Sequence, residues 1–345
     1  RRLRVEGIDP IEARRAQRYK AALAAARGIT FKAAAEQYIE AHKSGWRNAK
    51  HADQWTNTLA TYAFPKIGNL AVADVDTGLI LKILEPIWTT KAETASRVRG
   101  RIETILDWAK VRGYREGENP ARWKGHLDQT LPARGKLARV EHHAALPYAD
   151  TAEFMTALRA QPGTAARALE LAILSAARTG EVIGATWGEI NLGEKVWTIP
   201  PERMKAGREH RVPLSPAAVA VLRGMLPLRD TKHGDYIFPG GKAGRPLSNM
   251  AMTAVLRRMD RGTLTVHGFR STFRDWVAER TSYPREVAEM ALAHTVGNAV
   301  ELAYRRSDLF EKRRALMTAW AAFCSKPATA SDNVASIGKK VVAHK

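Results

Sequence analysis

Cysteine is nearly absent from this chain: Cys324 is the only one among 345 residues. No intrachain disulfide can form, which fits a reducing compartment. A lone thiol beside a polar tail, with no neighbouring base, is also a poor nucleophile. Long apolar runs are missing too. The longest, Leu169 to Ala177, is interrupted by Glu170 and Ser175 and is far too short to span a bilayer, so no membrane role is expected. The chain has no phosphate-binding glycine-lysine loop, no HExxH and no carboxylates at metal-ligand spacing, so no metal and no cofactor is expected. Acidic residues are outnumbered, 35 against 55 lysines and arginines, which leaves a net charge of +20. That excess favours a polyanionic partner, nucleic acid above all. The chain opens on Arg1 instead of Met, so an N-terminal segment is expected to be missing.

An apolar fraction of 45% supports real cores, and the length suits two domains. Residues 1–28 are charged and Ala-rich, with Asp9 as N-cap and Pro10 in the first turn, and read as a linker helix. Residues 29–118 read as four helices. The last carries Val98, Ile102, Ile105, Leu106 and Ala109 in one apolar stripe. Arg97, Arg99 and Arg101 are expected outside that stripe, on a basic DNA-binding surface. Residues 119–143, rich in Pro, Gly, Lys and Arg, read as an interdomain linker, equally as a surface loop or as the hinge of a protein closing on a polyanion.

Residues 144–325 are mixed. Ala165–Ala177 reads as an apolar helix, and two β-like runs, Val196–Ile199 and Arg211–Leu214, flank a loop. Helices return at 215–226, 247–260, 268–280, 284–293 and 308–323. The last has an apolar face that can pack on its own domain or on a neighbour. Residues 326–345 read as a flexible tail. The fold class expected is mainly α with a small antiparallel sheet: a helical core-type DNA-binding domain followed by an α+β catalytic domain.

Arg208, on the loop between the two β-like runs, is expected to bind DNA. Within the second region also lie Arg178, Glu181, Lys205, His267, Arg270, His294 and Tyr304. Each has an ordinary structural reading: an Arg–Glu pair between helices, a solvated basic loop, capping histidines, a packed tyrosine. Together they form a set able to transfer a phosphoryl group without metal. Guanidinium forks neutralise a phosphodiester, lysine and histidine carry protons, and a tyrosine can attack and hold the phosphate. His267 and Arg270, one turn apart at a helix start, can reach one ligand where the helix itself favours an anion.

Those residues stand in motifs that resemble the tyrosine recombinases, or phage-type integrases: Ala177-Arg178-Thr179-Gly180-Glu181 with Trp187, Met204-Lys205, His267-Gly268-Phe269-Arg270, Leu292-Ala293-His294 and Tyr304. The resemblance covers about residues 29–325. Within it, Thr94-Ala95-Ser96-Arg97-Val98-Arg99, Asn119-Pro120-Ala121 and Ile199-Pro200-Pro201-Glu202-Arg203-Met204-Lys205 are similar to integrases of satellite prophages and genomic islands. Gly7-Ile8-Asp9-Pro10 resembles the end of that branch's arm-binding domain, and the resemblance implies that the rest of that domain is missing.

The resemblance implies a site-specific recombinase that integrates or excises a mobile element through a 3′-phosphotyrosyl intermediate. Tyr304 is then the nucleophile, Arg178 and Arg270 the phosphate clamp, Lys205 the acid for the 5′-oxygen, His267 a base or acid, His294 a donor and Glu181 a support. It implies double-stranded attachment sites as partners, a tetramer on DNA, and accessory DNA-bending or directionality factors. The implied setting is the bacterial cytoplasm, at the nucleoid. A type IB topoisomerase-like relaxing enzyme shares this residue set, and a non-catalytic DNA-binding regulator is the remaining alternative.

Overall fold

The computed structural model describes residues 28–46, 49–133, 135, 144–295 and 307–326, with Ile11 and Arg15 as isolated helical positions. The linker-helix reading of 1–28 and the tail 326–345 fall almost wholly outside the described residues, as does Tyr304. The chain divides into two units, Arg1–Glu141 and His142–Lys345.

The first unit is helical. Thr30 opens α1 (Phe31–His42): its hydroxyl accepts from the Ala33 N–H and leaves Phe31 fully buried. α2 (Ala49–Tyr62) and the short α3 (Phe64–Ile67) follow. Asp76 caps α4 (Thr77–Trp88) by accepting from the Leu79 N–H at 2.8 Å. α5 (Ala92–Val111) turns its whole predicted stripe inward, so Val98, Ile102 and Ile105 meet Phe31, Leu59 and Ile80 in one core.

Half of the segment that reads as a linker is part of this unit. Ala121, Leu127 and Leu131 are buried in the same core. Asn119 Nδ2 donates to the Glu103 carbonyl and to Asp107, while its Oδ1 accepts from the Ala121 N–H. Trp88 Nε1 donates to the Pro132 carbonyl, and its ring stacks on Trp123. Proline and glycine made this stretch look like a tether; three leucine- and alanine-sized anchors decide its packing.

The second unit is helical around a small sheet. α6 (Thr151–Arg159), α7 (Thr164–Ser175) and α8 (Thr179–Ile183) lead into β1 (Ile190–Asn191), β2 (Val196–Ile199) and β3 (His210–Pro213). The sheet is antiparallel in the order β1-β2-β3, with Ile190 opposite Trp197, Val196 opposite Pro213 and Ile199 opposite His210. β1 has two residues, too few for any alternating pattern to announce it. Then come α9 (Pro216–Met225), capped by Ser215 with proline in its first turn, α10 (Ala251–Arg258), α11 (Gly268–Arg280), α12 (Arg285–Ala291) and α13 (Phe310–Phe323).

α7 is the central element, with Leu169, Leu171, Ile173 and Leu174 all buried. It stops at Ser175, two residues short of the expected end, because Ala176 turns left-handed at φ 51°. α13 packs on its own unit. Trp320 lies against Phe273 and Trp276 and donates through Nε1 to the Ile173 carbonyl at 2.8 Å. Among the described residues no helix is long and apolar enough to cross a membrane.

Candidate phosphoryl-transfer site

Arg178 leaves α7 and becomes the N-cap of α8. Glu181, only 5% exposed, holds it twice: its carboxylate accepts from the Arg178 backbone N–H at 2.8 Å and from Nη1 at 2.7 Å. The fork's other arm, Nη2, donates to the carbonyls of Leu292 and Ala293 at 3.3 and 3.2 Å. The guanidinium is thus fixed from both sides.

Arg270 rises from the first turn of α11 and is 6% exposed. Nη1 donates to the Ala176 carbonyl, and Nη2 to the Leu292 carbonyl at 2.6 Å. Two backbone turns therefore supply the acceptors, and both contain an alanine in left-handed geometry, Ala176 and Ala293, the latter at φ 50°. Such strain persists only where its surroundings enforce it. Burial, then repulsion from Arg178, lowers the Arg270 pKa to about 10, with Glu181 and Glu289 acting in the other direction. The residue stays charged at neutral pH, and two crowded guanidiniums favour an incoming anion.

His294 joins the same cluster. Its Nε2 lies 3.2 Å from Arg270 Nη2, and its Nδ1 lies 2.7 Å from Glu289 Oε2. A guanidinium can only donate, so Nε2 is the acceptor and Nδ1 carries the proton. Glu289 also accepts from Arg274 Nε at 2.7 Å. Burial raises the Glu289 pKa, but its bonds to His294 and Arg274 outweigh that and leave it below the usual carboxylate range.

Lys205 and Arg208 are exposed on the loop between β2 and β3. The loop's root is anchored by Arg203, which donates to the Glu189 carboxylate and to the Glu181 carbonyl. Met204, Ala206 and Arg208 line a cavity of about 180 Å³ whose far wall includes Ala293 and His294. His267 is exposed and precedes α11, one turn before Arg270. The structure thus gathers Arg178, Glu181, Arg270 and His294 into one bonded network and sets the lysine-bearing loop across a cavity from His294. Tyr304 lies outside the described residues.

The three arginines expected on a basic face of α5 diverge. Arg97 is exposed and pairs with Glu93. Arg99 is half-buried, bonded to Glu103 and the Ala121 carbonyl. Arg101 is buried at 8% exposure, donates to the Gln54 carbonyl at 2.7 Å and sits over the Trp55 ring. Helical spacing put it beside the apolar stripe; its long aliphatic stem lets it pack inward. Glu289, Arg203 and Arg274 escaped sequence reading because an acidic or basic residue on a helix or loop normally signals a solvated face.

Comparison with known proteins accords with this architecture. The phage integrase central domain model matches residues 31–126, and the phage integrase family model matches residues 146–309. The Escherichia coli K12 prophage integrase IntZ is 32% identical over 323 residues, covering 93% of this chain and 77% of the relative. The integrase of Enterobacteria phage P4 is 28% identical over 341 residues, covering 93% and 74%. Among solved structures, a lambda integrase tetramer bound to a Holliday junction aligns with a TM-score of 0.63 at 16% identity, covering 81% of this chain and 82% of that one. The Tn1549 transposon integrase in complex with circular intermediate DNA aligns at 0.59 and 13%, covering 84% and 99%. Fold and relatives together define the class, a site-specific tyrosine recombinase. The chain belongs to the phage integrase family.

Proposed function

We propose that Tyr304 is the nucleophile of this recombinase and that the Arg178–Arg270–His294 network is its phosphate clamp. The observation that carries the reading is the convergence of both guanidiniums and His294 on the Leu292–Ala293 turn. In the reaction the Tyr304 hydroxyl oxygen attacks the scissile phosphorus and loses its proton to His267. The bond from phosphorus to the 5′-oxygen breaks, and Lys205 protonates that oxygen. Arg178 and Arg270 hold the non-bridging oxygens as charge builds on them. A phosphate oxygen can replace His294 Nε2 as acceptor for Arg270, which releases the imidazole to take a proton and donate to the phosphoryl group. The 5′-hydroxyl of the partner strand then attacks the phosphotyrosine, so the ester's energy is conserved and no nucleotide or metal is consumed. Glu181 supports Arg178 throughout.

The partner is double-stranded attachment-site DNA, engaged by four protomers, as the tetramer of the lambda integrase structure suggests. The domain scheme is a helical DNA-binding region followed by the catalytic region from residue 144. The net charge of +20 and exposed cations such as Arg97 and Arg208 favour phosphate contacts and salt-sensitive binding. We assign the chain to the satellite-prophage and genomic-island branch, supported by its likeness to the phage P4 and prophage integrases. Accessory DNA-bending and directionality factors belong to that reading, as does work at the bacterial nucleoid.

The test is a nicked suicide substrate built from the element's end sequences, with denaturing gels to detect a covalent protein–DNA adduct. The wild type forms the adduct in the presence of EDTA; Tyr304→Phe binds the same DNA and forms none. An adduct in that variant, or complete inhibition by EDTA, overturns the assignment.

A further inference from the structure

Arg313 has no part in the chemistry just described. It stands one turn into α13, is 1% exposed, and has every arm of its guanidinium bonded. Nε donates to the Asp308 carbonyl at 2.7 Å, and Nη2 to the Asp308 carboxylate at 2.6 Å. Nη1 donates to the Arg211 carbonyl, in β3. A second cation backs this joint. Arg211 Nη1 lies 3.7 Å from the same carboxylate, and the Phe310 ring has Arg211 over it at 4.0 Å and Arg313 at 5.5 Å. His210, the neighbour of Arg211 on β3, does not compete for the carboxylate. Burial first, then the charge of Arg313, lowers its pKa to about 4, so the ring is neutral at working pH.

A buried guanidinium is costly unless its donors are met, and packing alone would be served by an apolar side chain of similar volume. What the arginine adds is direction: a rigid fork ties two separate stretches of chain. One is Asp308, held by main chain and side chain at once. The other is β3, which with β2 flanks the Lys205 loop. The joint also faces the site. Asp308 and Arg313 line the same cavity of about 180 Å³ as Met204, Arg208 and His294. Tyr304 precedes Asp308 by four residues, so chain length alone keeps its Cα within about 14 Å of the Asp308 Cα.

We propose that Arg313 is a positioning residue: it pins Asp308 to β3 and so fixes the point from which the tyrosine-bearing segment enters the site. With the joint cut, the root of that segment is free to shift, while the arginine clamp and the Lys205 loop keep their own anchors. Misplacement on the order of 1 Å is enough to cost roughly 100-fold in rate.

The inference rests on the phosphoryl-transfer reading above, and the experiment separates the two. Single-turnover adduct formation, DNA affinity and melting temperature are measured for the wild type, Arg313→Met and Asp308→Ala. Arg313→Met removes a positive charge from the cavity wall, and Asp308→Ala removes a negative one. Acting only as charges beside a phosphate, they would move the rate in opposite directions. As parts of one joint, both slow it. Arg313→Met is expected to lower the adduct rate constant roughly 100-fold, and Asp308→Ala, which keeps the bond from Nε to the carbonyl, roughly tenfold. Affinity stays within about twofold of wild type or rises in Asp308→Ala, and the final adduct yield is unchanged. A second suicide substrate carries sulfur in place of the bridging 5′-oxygen, whose thiolate leaves without needing a proton. The slowing is expected to persist on it, because the defect lies with the nucleophile. Rates that follow the sign of the charge refute the proposal, as does recovery on the sulfur substrate or an unchanged rate. A lower adduct yield with the wild-type rate constant also refutes it, since that marks misfolded protein. Should Arg313→Met fail to fold, Asp308→Ala decides alone, because the Asp308 side chain is 42% exposed and its loss leaves no buried charge. If the wild type itself forms no adduct, the phosphoryl-transfer reading fails instead.

Discussion

Gly268→Ala is the substitution that the structure constrains most tightly. Gly268 lies between His267 and Arg270 at the start of α11 and is buried. A Cβ at that position would stand 2.1 Å from the Ala144 carbonyl oxygen, 2.9 Å from its carbon and 3.0 Å from the Ala145 Cα. All three are backbone atoms, so no flexible side chain can swing away. An unstrained carbon–oxygen contact needs about 3.3 Å, so the helix start must retreat by about 1 Å. Arg270 travels with it and loses register with the Ala176 and Leu292 carbonyls. Overpacking of this kind costs roughly 1–3 kcal/mol of stability, and the displaced clamp costs on the order of 100-fold in rate. The assay pairs thermal melting with single-turnover adduct formation. Gly224→Ala serves as the control. That glycine is also helical, but nothing lies within 4 Å of its added Cβ, so stability should hold or rise by up to about 1 kcal/mol with rate unchanged. A Gly268→Ala protein with wild-type melting and wild-type cleavage would refute the argument.

Three further outcomes follow from the same geometry. Glu289→Gln offers an amide that can donate to His294 Nδ1, moving the ring proton to Nε2 against Arg270; adduct formation should fall roughly 100-fold with DNA affinity kept, and an unaltered rate counts against the tautomer argument. His210 takes up a proton near pH 6.5 when unfolded but only at about 4 when folded, so the stability it confers is complete above pH 6.5 and is lost as pH falls toward 4. The loss is about 3 kcal/mol at most, and urea midpoints of wild type should drop more steeply over that interval than those of His210→Leu; parallel curves would show the idea to be mistaken. Arg203→Ala cuts the tie between the Lys205 loop, Glu189 and the Glu181 carbonyl, so limited proteolysis should cleave residues 204–209 faster, and an unchanged digestion rate contradicts the anchoring role.

Much of the fold was legible because its signals are periodic. The α5 stripe and the paired β-like runs each rest on spacing that sterics enforce. The candidate site was legible as residue types in order, and the structure gathers Arg178, Glu181, Arg270 and His294 as neighbours. What remained hidden is relational. Arg101 reads as surface by spacing yet buries itself against Trp55. Residues 119–133 read as tether by composition, yet Leu127 and Leu131 anchor them. Glu289 matters only through what it touches, His294 five residues on and Arg274 on the neighbouring helix. No local pattern encodes those contacts.

The left-handed alanines at 176 and 293 carry a consequence for engineering. Glycine at either position would relieve about 1 kcal/mol of backbone strain. It would also enlarge the freedom of the unfolded chain by a similar amount, so the melting temperature would barely move. The cost would fall on aim, since the Ala176 and Ala293 carbonyls would wander more widely around the arginines they receive. A stability screen is therefore blind at these two positions, and recombinase variants selected on thermal tolerance alone could lose turnover there without warning.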